Sequence, residues 1–245
     1  MDPNAMTPYG LALSAFFRGE TEAKVLVRRD DGFEVPLPVS HFFRQPAEFS
    51  PIEVAALDHC RGRVLDVGAG TGIHSLALRA RGLAVTAMDL SPDAVEIMTA
   101  RGLDDVRRAD VFDFEDGPFD TLLMLGHGVG IVEDLPGLDR FLLHARRLVR
   151  AGGQLLLDSQ DARRTDDPRH LAYHETNRRA GRYFGMTRIQ FEYEGQTGPY
   201  CGWLHVDSET LRRHAAPAGW ECEVVRELNG DYLACLTDRG EPAAW

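Results

Sequence analysis

Residues 64–72 read Val64-Leu65-Asp66-Val67-Gly68-Ala69-Gly70-Thr71-Gly72. The first four residues are typical of a buried β-strand, and the glycines that follow open a segment, 72–81, with the pattern of a helix. Glycine permits positive φ angles and close approach of a ligand to the backbone, and the first turn of a helix offers free N–H groups. The stretch therefore predicts a cradle for a nucleotide-like ligand at the carboxyl edge of a parallel sheet.

From this stretch onward, apolar strand-like runs alternate with helical segments as far as residue 158. The predicted strands are 64–67, 84–88, 106–108, 121–125 and 154–157, and the predicted helices are 72–81, 92–101 and 138–149. Such alternation predicts an α/β fold with a mostly parallel sheet, right-handed crossovers and helices on both faces. We expect residues 61–158 to form the ligand-binding core.

The segments outside this core follow other patterns. Within 1–60 we predict a helix over 6–18, a hairpin of strands 24–29 and 33–37 across Asp30-Asp31-Gly32, and a helix that begins at Pro51. Residues 159–207 form an inserted lid, with a loop over 161–169 and strands over 182–194 and 200–206. Residues 208–245 contain a helix capped by Ser208 and strands 222–228 and 232–236. We expect all four parts to belong to one domain, 1–245.

Composition limits the possible partners and settings. Thirty-eight acidic residues against 27 basic ones give a net charge of −11, which disfavours binding to a nucleic-acid backbone. No segment approaches the roughly 18 apolar residues that cross a bilayer, and residues 1–5 lack the basic start of a secretory signal. The four cysteines have neither CxxC nor zinc-ligand spacing. We therefore expect a protein of the reducing cytoplasm without a metal site, without a nucleic-acid or membrane partner, and either monomeric or homodimeric.

The spacing of the glycines distinguishes two classes of nucleotide site. The dinucleotide fingerprint is GxGxxG, whereas this chain has GxGxG, with Asp66 two residues before Gly68. This pattern resembles motif I of the class I S-adenosylmethionine-dependent methyltransferases. Residues 119–126 resemble motif IV of the same family, residues 148–155 resemble the turn before its fifth strand, and residues 222–236 match its last two strands.

The resemblance implies a Rossmann-like sheet of seven strands in the order 3-2-1-4-5-7-6, with strand 7 antiparallel. It also implies S-adenosyl-L-methionine as cofactor and S-adenosyl-L-homocysteine as product. Asp89, 17 residues after Gly72, ends the second core strand, where a carboxylate can accept hydrogen bonds from ribose hydroxyls. The residues expected to bind the cofactor are Asp66, Gly68, Ala69, Gly70, Gly72, His74, Asp89, Leu90, Asp110, Val111, Leu125 and Gly126. For His74 two roles remain open, namely a bond to the amino-acid end of the cofactor or a cap of its own helix.

Methyl transfer is a direct displacement that depends on alignment of the reacting atoms and on exclusion of water. A neutral amine or hydroxyl acceptor must also lose a proton, so a base can contribute. His127 follows the fourth core strand, and its ordinary pKa lies near neutral pH. We predict His127 as the catalytic base, with a purely positioning role as the alternative.

Residues expected to shape the acceptor pocket lie beside the core or in the inserted lid. Aromatic side chains could enclose an apolar acceptor or the sulfonium, and arginines could hold an acidic group. The alternative for each is ordinary packing. The predicted substrate-binding residues are Phe43, Arg44, Asp158, Gln160, Tyr173, Arg182, Tyr193 and Trp203.

The sequence thus predicts an S-adenosylmethionine-dependent methyltransferase that acts on an O or N atom of a small molecule. A methyltransferase for proteins or peptides is one alternative, and a shallow open groove would favour it. A nicotinamide-dependent Rossmann oxidoreductase and a regulator that binds the cofactor without turnover are alternatives from other classes.

Overall fold

The computed structural model describes residues 1–240, and residues 241–245, the end of the predicted 208–245 part, lie outside the described residues. None of the helices within 1–240 has the length and apolar character needed to cross a membrane. The strands are β1 (Lys24–Arg29), β2 (Glu34–Pro38), β3 (Arg63–Val67), β4 (Ala84–Asp89), β5 (Val106–Arg108), β6 (Phe119–Met124), β7 (Val149–Gln160), β8 (Met186–Tyr193), β9 (Gln196–Thr197), β10 (Cys201–Leu204), β11 (Trp220–Leu228) and β12 (Asp231–Asp238). The α-helices are α1 (Thr7–Phe17), α2 (Pro51–His59), α3 (Ile73–Ala80), α4 (Pro92–Ala100), α5 (Leu135–Leu148), α6 (Pro168–Arg179) and α7 (Ser208–Ala215). Short 3₁₀ helices span Pro3–Met6, Val39–Phe43, Pro46–Glu48 and Gly128–Val132.

The main sheet of the described chain has seven strands in the order β5-β4-β3-β6-β7-β12-β11. Counted along the chain within this sheet, the order reads 3-2-1-4-5-7-6. The first five of these strands pair in parallel, whereas β12 is antiparallel to both of its neighbours. The predicted Rossmann-like α/β fold class is confirmed.

Apolar residues cover both faces of this sheet, because successive side chains of a strand point to opposite sides. On one face, Leu122 and Leu155 belong to the same buried cluster as Phe141 of α5. On the other face, Leu123 and Leu156 pack with residues of α2 and α3. Burial on both faces explains why the central strands read as continuous apolar runs.

A second, antiparallel sheet combines the N-terminal hairpin with the inserted strands, in the order β10-β8-β1-β2, and β9 pairs with β8. Val27 of β1 lies opposite both Val35 of β2 and Phe191 of β8. The two hairpins were predicted as separate elements. Their union has a physical reason, because an isolated two-stranded hairpin is marginally stable and leaves unpaired edges.

The sequence analysis did not predict helix α6. It predicted a loop over 161–169 and assigned no element to residues 170–181. Asp167 caps the helix by accepting from the Arg169 backbone N–H at 2.8 Å. Its buried side chains are Tyr173, His174 and Asn177, and Asn177 Nδ2 donates to the Met186 carbonyl at 2.6 Å. The sequence of this polar helix lacks the apolar periodicity on which the prediction depended. Tertiary contacts stabilise the helix instead.

A second correction concerns the cap of α7. Asp207, not the predicted Ser208, accepts from the backbone N–H groups of Glu209 at 3.1 Å and Thr210 at 3.0 Å. The hydroxyl of Tyr183 also donates to Asp207, at 2.6 Å. Asp and Ser are equally good caps, and the additional partner from the inserted segment favours Asp207.

Helix α1 lies across the start of α4. Ser14 Oγ donates to Asp93 Oδ1 at 2.7 Å. At Gly10 the two helices approach so closely that an added Cβ atom would lie 2.7 Å from both Asp93 Oδ2 and Ser91 Oγ. This contact positions the N-terminal helix beside the carboxyl ends of β3 and β4.

Candidate functional site

A cavity of about 720 Å³ opens at the carboxyl ends of β3, β4, β6 and β7. Residues at the carboxyl ends of these strands, or just after them, line one side of it, among them Gly68, Asp89, Gly126 and Asp158. The second sheet and α1 line the other side. The carboxyl edge is where open α/β sheets bind their ligands, and the volume lies in the range of roughly 300–1,000 Å³ typical of ligand pockets.

The glycine-rich turn between β3 and α3 supplies bare backbone to the cavity. Gly68 and Gly70 both line it and have φ angles of 69° and 57°, in the left-handed region that favours glycine. A Cβ atom added at Gly68 would meet no other atom within 4 Å, so this backbone is open to a ligand.

Asp89 connects the end of β4 to this turn. Its Oδ2 accepts from the Gly70 backbone N–H at 2.9 Å, and its Oδ1 accepts from the Ser91 N–H at 2.8 Å. Burial raises the pKa of Asp89, against the opposing effect of these two bonds. Each oxygen retains acceptor capacity, so the carboxylate can accept hydrogen bonds from a ligand in the cavity.

The loop after β5 forms an apolar slot beside Asp89. Leu90, Val111 and Phe112 line the cavity here, together with Asp110. Asp110 Oδ1 accepts from the Phe112 backbone N–H at 3.0 Å, which fixes the carboxylate at the edge of the slot. A flat, partly polar ring would find apolar contacts and one carboxylate acceptor in this slot.

His127 follows β6 in a left-handed conformation, with a φ angle of 57°. Its backbone N–H donates to Asp158 Oδ1 at 2.8 Å, and its Nε2 lies 3.3 Å from Asp231 Oδ1. Burial lowers the pKa of His127, but Asp231 and Asp158 outweigh this effect and raise it above its usual value. Burial raises the pKa of Asp158 to about 6, although His127 opposes the shift.

His74 and Arg44 meet at a residue that the sequence analysis did not select, Glu53. Glu53 Oε1 lies 2.8 Å from His74 Nε2 and accepts from Arg44 Nη2 at 2.9 Å, while Oε2 accepts from Arg44 Nη1 at 3.1 Å. Burial alone would raise the pKa of Glu53, but the bonds from His74, Ser50 and Arg44 lower it to about 2. Glu53 is therefore a buried carboxylate that orients one imidazole and one guanidinium at the cavity wall.

The opposite wall is one face of the second sheet. Thr187, Ile189 and Phe191 alternate along β8, and all three line the cavity. Val35 and Leu37 of β2 alternate in the same way. Side chains two residues apart on a strand share a face, so the sheet presents a mostly apolar surface to the site.

Tyr9 of α1 closes the side of the cavity near the glycine turn. A Cβ atom added at Gly70 would lie 3.6 Å from the Tyr9 hydroxyl. Burial, together with the charge of Asp89, raises the pKa of Tyr9. Its ring packs edge-on against Phe42, with the ring centroids 5.0 Å apart. The N-terminal helix thus covers the bare backbone of the turn.

The cavity brings most of the sequence-predicted site residues together. Those that line it are Gly68, Ala69, Gly70, His74, Asp89, Leu90, Asp110, Val111, Leu125, Gly126, His127, Arg44, Asp158 and Trp203.

Three residues of the inserted segment that were predicted to bind substrate lie outside the cavity wall. The Tyr173 hydroxyl donates to Asp30 at 2.7 Å, Arg182 Nε donates to Asn177 at 3.0 Å, and the Tyr193 hydroxyl donates to Glu20 at 3.1 Å. Their polar atoms hold the second sheet to α6 and to the segment after α1. Ordinary packing, the alternative for these side chains, agrees with this geometry.

Four other predicted residues also lie behind the wall. Asp66 is buried and accepts from Ser75 Oγ at 2.6 Å, which ties β3 to α3, and Gly72 packs against Leu103. Phe43 stacks on Phe16, with ring centroids 4.6 Å apart, so that its neighbour Phe42 lines the cavity instead. Gln160 is the last residue of β7, in register with Asp231 of β12, and it does not belong to the cavity lining.

The sequence analysis missed cavity residues that come from distant segments, namely Tyr9, His41, Glu53, His205 and Asp231. The sequence contains one pattern that includes Glu53, because Ser50 and Glu53 form a capping box at the start of α2. That pattern marks a helix start and does not indicate contact with His74. The other four residues belong to no motif.

Comparison with known proteins places this architecture among enzymes. Residues 65–157 match the family model described as a methyltransferase domain. The chain is also similar to a SAM-dependent methyltransferase from Bacteroides fragilis, solved in complex with S-adenosyl-L-homocysteine. That similarity has a TM-score of 0.83 and 33% identity, and it covers 96% of this chain and 95% of the other.

Curated relatives match over shorter segments. A ubiquinone biosynthesis O-methyltransferase from Xanthomonas oryzae pv. oryzae is 33% identical over 113 residues, which are 43% of this chain and 46% of that protein. A demethylmenaquinone methyltransferase from Clavibacter sepedonicus is 36% identical over 101 residues, or 39% of this chain and 40% of that protein. The matches therefore span about half the length of the curated relatives or less.

Proposed function

The chain belongs to the S-adenosylmethionine-dependent methyltransferases, and we propose that it transfers a methyl group from S-adenosyl-L-methionine to an O or N atom of a small molecule. One observation carries the proposal. The open backbone of the glycine turn and the Asp89 carboxylate share a single cavity with an apolar wall and with His127. Cofactor and acceptor can therefore meet in one water-poor space.

The residues on the cofactor side fit this ligand. Asp89 would accept from the ribose hydroxyls, and Asp110 would accept from the adenine amino group, with Leu90 and Val111 as apolar neighbours. Gly68 and Gly70 would leave room for the amino-acid end, and Leu125 and Gly126 would line the rest of the cofactor site. His74, held by Glu53 at 2.8 Å, is positioned to contact the amino-acid end.

When bound, S-adenosyl-L-methionine would supply a methyl group attached to a positively charged sulfur. The sulfur is the leaving group and becomes the neutral thioether of S-adenosyl-L-homocysteine. The chain aligns the acceptor by enclosure and excludes water with the second sheet. His127, whose Nε2 lies 3.3 Å from Asp231 Oδ1, takes the proton that the acceptor loses. Asp231 and Asp158 balance the charge of the imidazolium that forms.

The enclosed shape supports a small molecule as the acceptor. The apolar face of the second sheet lies opposite the carboxyl ends of the main sheet, so the acceptor space is a chamber with walls on both sides. A protein methyltransferase would need an open groove for an extended chain. Asp158 and Trp203 line this chamber and are proposed to contact the acceptor, whereas Arg44 acts through its pairing with Glu53.

The remaining expectations about the whole protein stay proposals. We propose one methyltransferase domain that includes the N-terminal and inserted segments, because the second sheet is built from both. The net charge of −11 supports the absence of a nucleic-acid partner. We also propose that the protein is a monomer or a homodimer. Four free cysteines in residues 1–240 support a cytoplasmic setting.

Calorimetry and product detection test the proposal in two steps. We expect S-adenosyl-L-homocysteine to bind and oxidised nicotinamide dinucleotide not to bind. We then expect label from methyl-labelled S-adenosyl-L-methionine to appear in at least one compound of a metabolite extract. Binding of the dinucleotide instead would favour an oxidoreductase. Cofactor binding without labelled product across the extract would favour a non-catalytic regulator.

A further inference from the structure

His205, directly after β10, is a cavity residue whose hydrogen-bonding capacity is not used by the described chain. Its Nδ1 is buried and has no hydrogen-bond partner within residues 1–240. Burial lowers the pKa of His205 to about 4, so the ring is neutral at ordinary pH. A neutral imidazole can donate from one nitrogen and accept at the other. Buried polar atoms are normally satisfied, so an unpaired one at a cavity wall indicates a ligand.

His205 stands beside the proposed base. The rings of His205 and His127 are 5.7 Å apart and nearly perpendicular. Asp231 Oδ1 lies 3.3 Å from His127 Nε2, which is longer than the roughly 2.7–2.9 Å of a strong charge-assisted bond. Both His205 and Asp231 therefore retain capacity to bind the same group that His127 deprotonates.

The charges around the cavity limit what this group can be. Two carboxylates, Asp158 and Asp231, flank His127. Among the lining side chains of residues 1–240, Arg44 alone carries a permanent positive charge. Arg44 is engaged by both oxygens of Glu53 and by the His41 carbonyl at 2.7 Å. An anionic acceptor would therefore meet two carboxylates beside His127, and it would find no lysine or arginine side chain of residues 1–240 in the lining that is not already paired.

The rest of the acceptor space is apolar. Ile189, Phe191 and Trp203 face it from β8 and β10, and Val35 and Leu37 face it from β2. Such walls favour an acceptor body that is itself apolar, because its transfer from water is the main favourable contribution.

We propose that His205 and Asp231 bind the reacting group of the methyl acceptor, and that this acceptor is an apolar molecule with a hydroxyl or amine and without a carboxylate or phosphate. This inference rests on the proposed function. It assigns His205 and Asp231 as specificity-determining residues next to the base.

The test uses four ring compounds of similar shape on the full chain saturated with S-adenosyl-L-homocysteine. 2-Naphthol and 2-(aminomethyl)naphthalene carry a protic group, 2-methoxynaphthalene lacks one, and 2-naphthoate carries a carboxylate. Calorimetry should give at least one protic compound an affinity about tenfold above that of 2-methoxynaphthalene and of 2-naphthoate, because a site with buried polar groups rejects ligands that leave them unpaired. Whichever protic compound binds more tightly indicates hydroxyl or amine chemistry.

Substitutions assign the effect to the two residues. His205→Phe should weaken the better protic compound about tenfold, while 2-methoxynaphthalene changes less than about threefold. His205→Asn keeps a hydrogen-bonding group near the Nδ1 position and should recover part of the loss. Asp231→Asn should weaken the protic compound as well. His174→Phe is the matched control, because His174 of α6 packs on Phe184 and does not line the cavity, so the substitution should leave all four affinities unchanged.

Binding of S-adenosyl-L-homocysteine is measured first in every variant, and its retention shows that the chain is folded. Loss of that binding in the wild-type chain would count against the proposed function itself. With the cofactor bound, an affinity for 2-naphthoate equal to that of the protic compounds would overturn this inference alone. Unchanged protic affinity in His205→Phe and Asp231→Asn, or no binding of any of the four compounds, would overturn it too.

Discussion

The indole ring of Trp203 lies directly against the α-carbon of Gly130, so that a Cβ atom at position 130 would overlap the ring. Gly130 belongs to the 3₁₀ helix that follows β6 and His127, and Trp203 belongs to β10 of the second sheet. This contact fixes the acceptor wall against the loop that carries the proposed base. The site is thus formed where two separate sheets meet.

Gly130→Ala should destabilise this junction. The added methyl group must displace the Trp203 ring, and overpacking of this kind costs about 1–3 kcal/mol. We expect the free energy of unfolding to fall by that amount in chemical denaturation. Gly128→Ala is the control, because its Cβ atom would lie 3.5 Å from Met124 Cβ, an ordinary contact. Equal stability of the two variants would contradict the close packing described for Trp203.

Asp89→Ala should weaken binding of S-adenosyl-L-homocysteine. Loss of two charge-assisted hydrogen bonds to the ribose costs about 2–4 kcal/mol, which calorimetry measures directly. Asp93→Ala removes a nearby carboxylate that bonds Ser14 instead of facing the cavity, and it should bind the ligand nearly as well as the wild type. Near-normal affinity in Asp89→Ala would refute the ribose assignment.

His127 should titrate above its usual pKa of 6.5, since Asp231 and Asp158 stabilise its protonated form. NMR of ¹³C-labelled histidine measures this pKa. Asp231→Asn removes one of these carboxylates and should move the titration to lower pH, and the pH at which methyl transfer rises should move with it. The neutral ring of His205, with its pKa near 4, contributes no proton in this range. An unchanged His127 titration would exclude the pairing with Asp231.

His127→Ala should lower turnover much more than it lowers affinity for S-adenosyl-L-homocysteine. The His127 ring is proposed to take the proton from the acceptor, and binding of the cofactor is not expected to depend on this ring. General bases contribute about 10²–10⁴-fold to rate. Single-turnover methyl transfer and calorimetry separate the two effects. Equal losses in both measurements would make His127 a binding contact only.

Glu53→Gln should cost about 1.5–3 kcal/mol of stability at neutral pH, because Glu53 accepts charge-assisted bonds. The pKa of Glu53 is lowered from 4.5 to about 2, so the stabilisation is present above pH 4.5 and is lost as pH falls toward 2. Unfolding curves at several pH values should therefore converge for the two proteins under acid conditions. Glu48→Gln, an exposed cap in the same segment, should cost less than about 1 kcal/mol. A pH-independent difference for Glu53→Gln would contradict the charged pairing.

The parts of the site that follow a strand directly could be predicted from the sequence. Asp89 and Gly68 follow apolar runs of fixed length, and parallel strands deliver their carboxyl ends to one edge. Tyr173 and Tyr193 illustrate the opposite case. Tyr193 lies on a predicted strand, but alternation could not tell which face of the second sheet would meet the cavity. Tyr173 lies on α6, a helix that the sequence analysis did not predict. Their hydroxyls bond Asp30 and Glu20 instead.

The sequence by itself determined the glycine turn, the order of elements in the core and the carboxylate at the end of β4, because local pattern and strand direction fix these features. Only the tertiary structure decided that β1 would pair with β8. This pairing unites the two hairpins in the sheet whose face lines the cavity, and Tyr9, Glu53, His205 and Asp231 reach the same space from other distant segments. Such contacts depend on packing between segments that are distant in the sequence, for which no local periodicity exists.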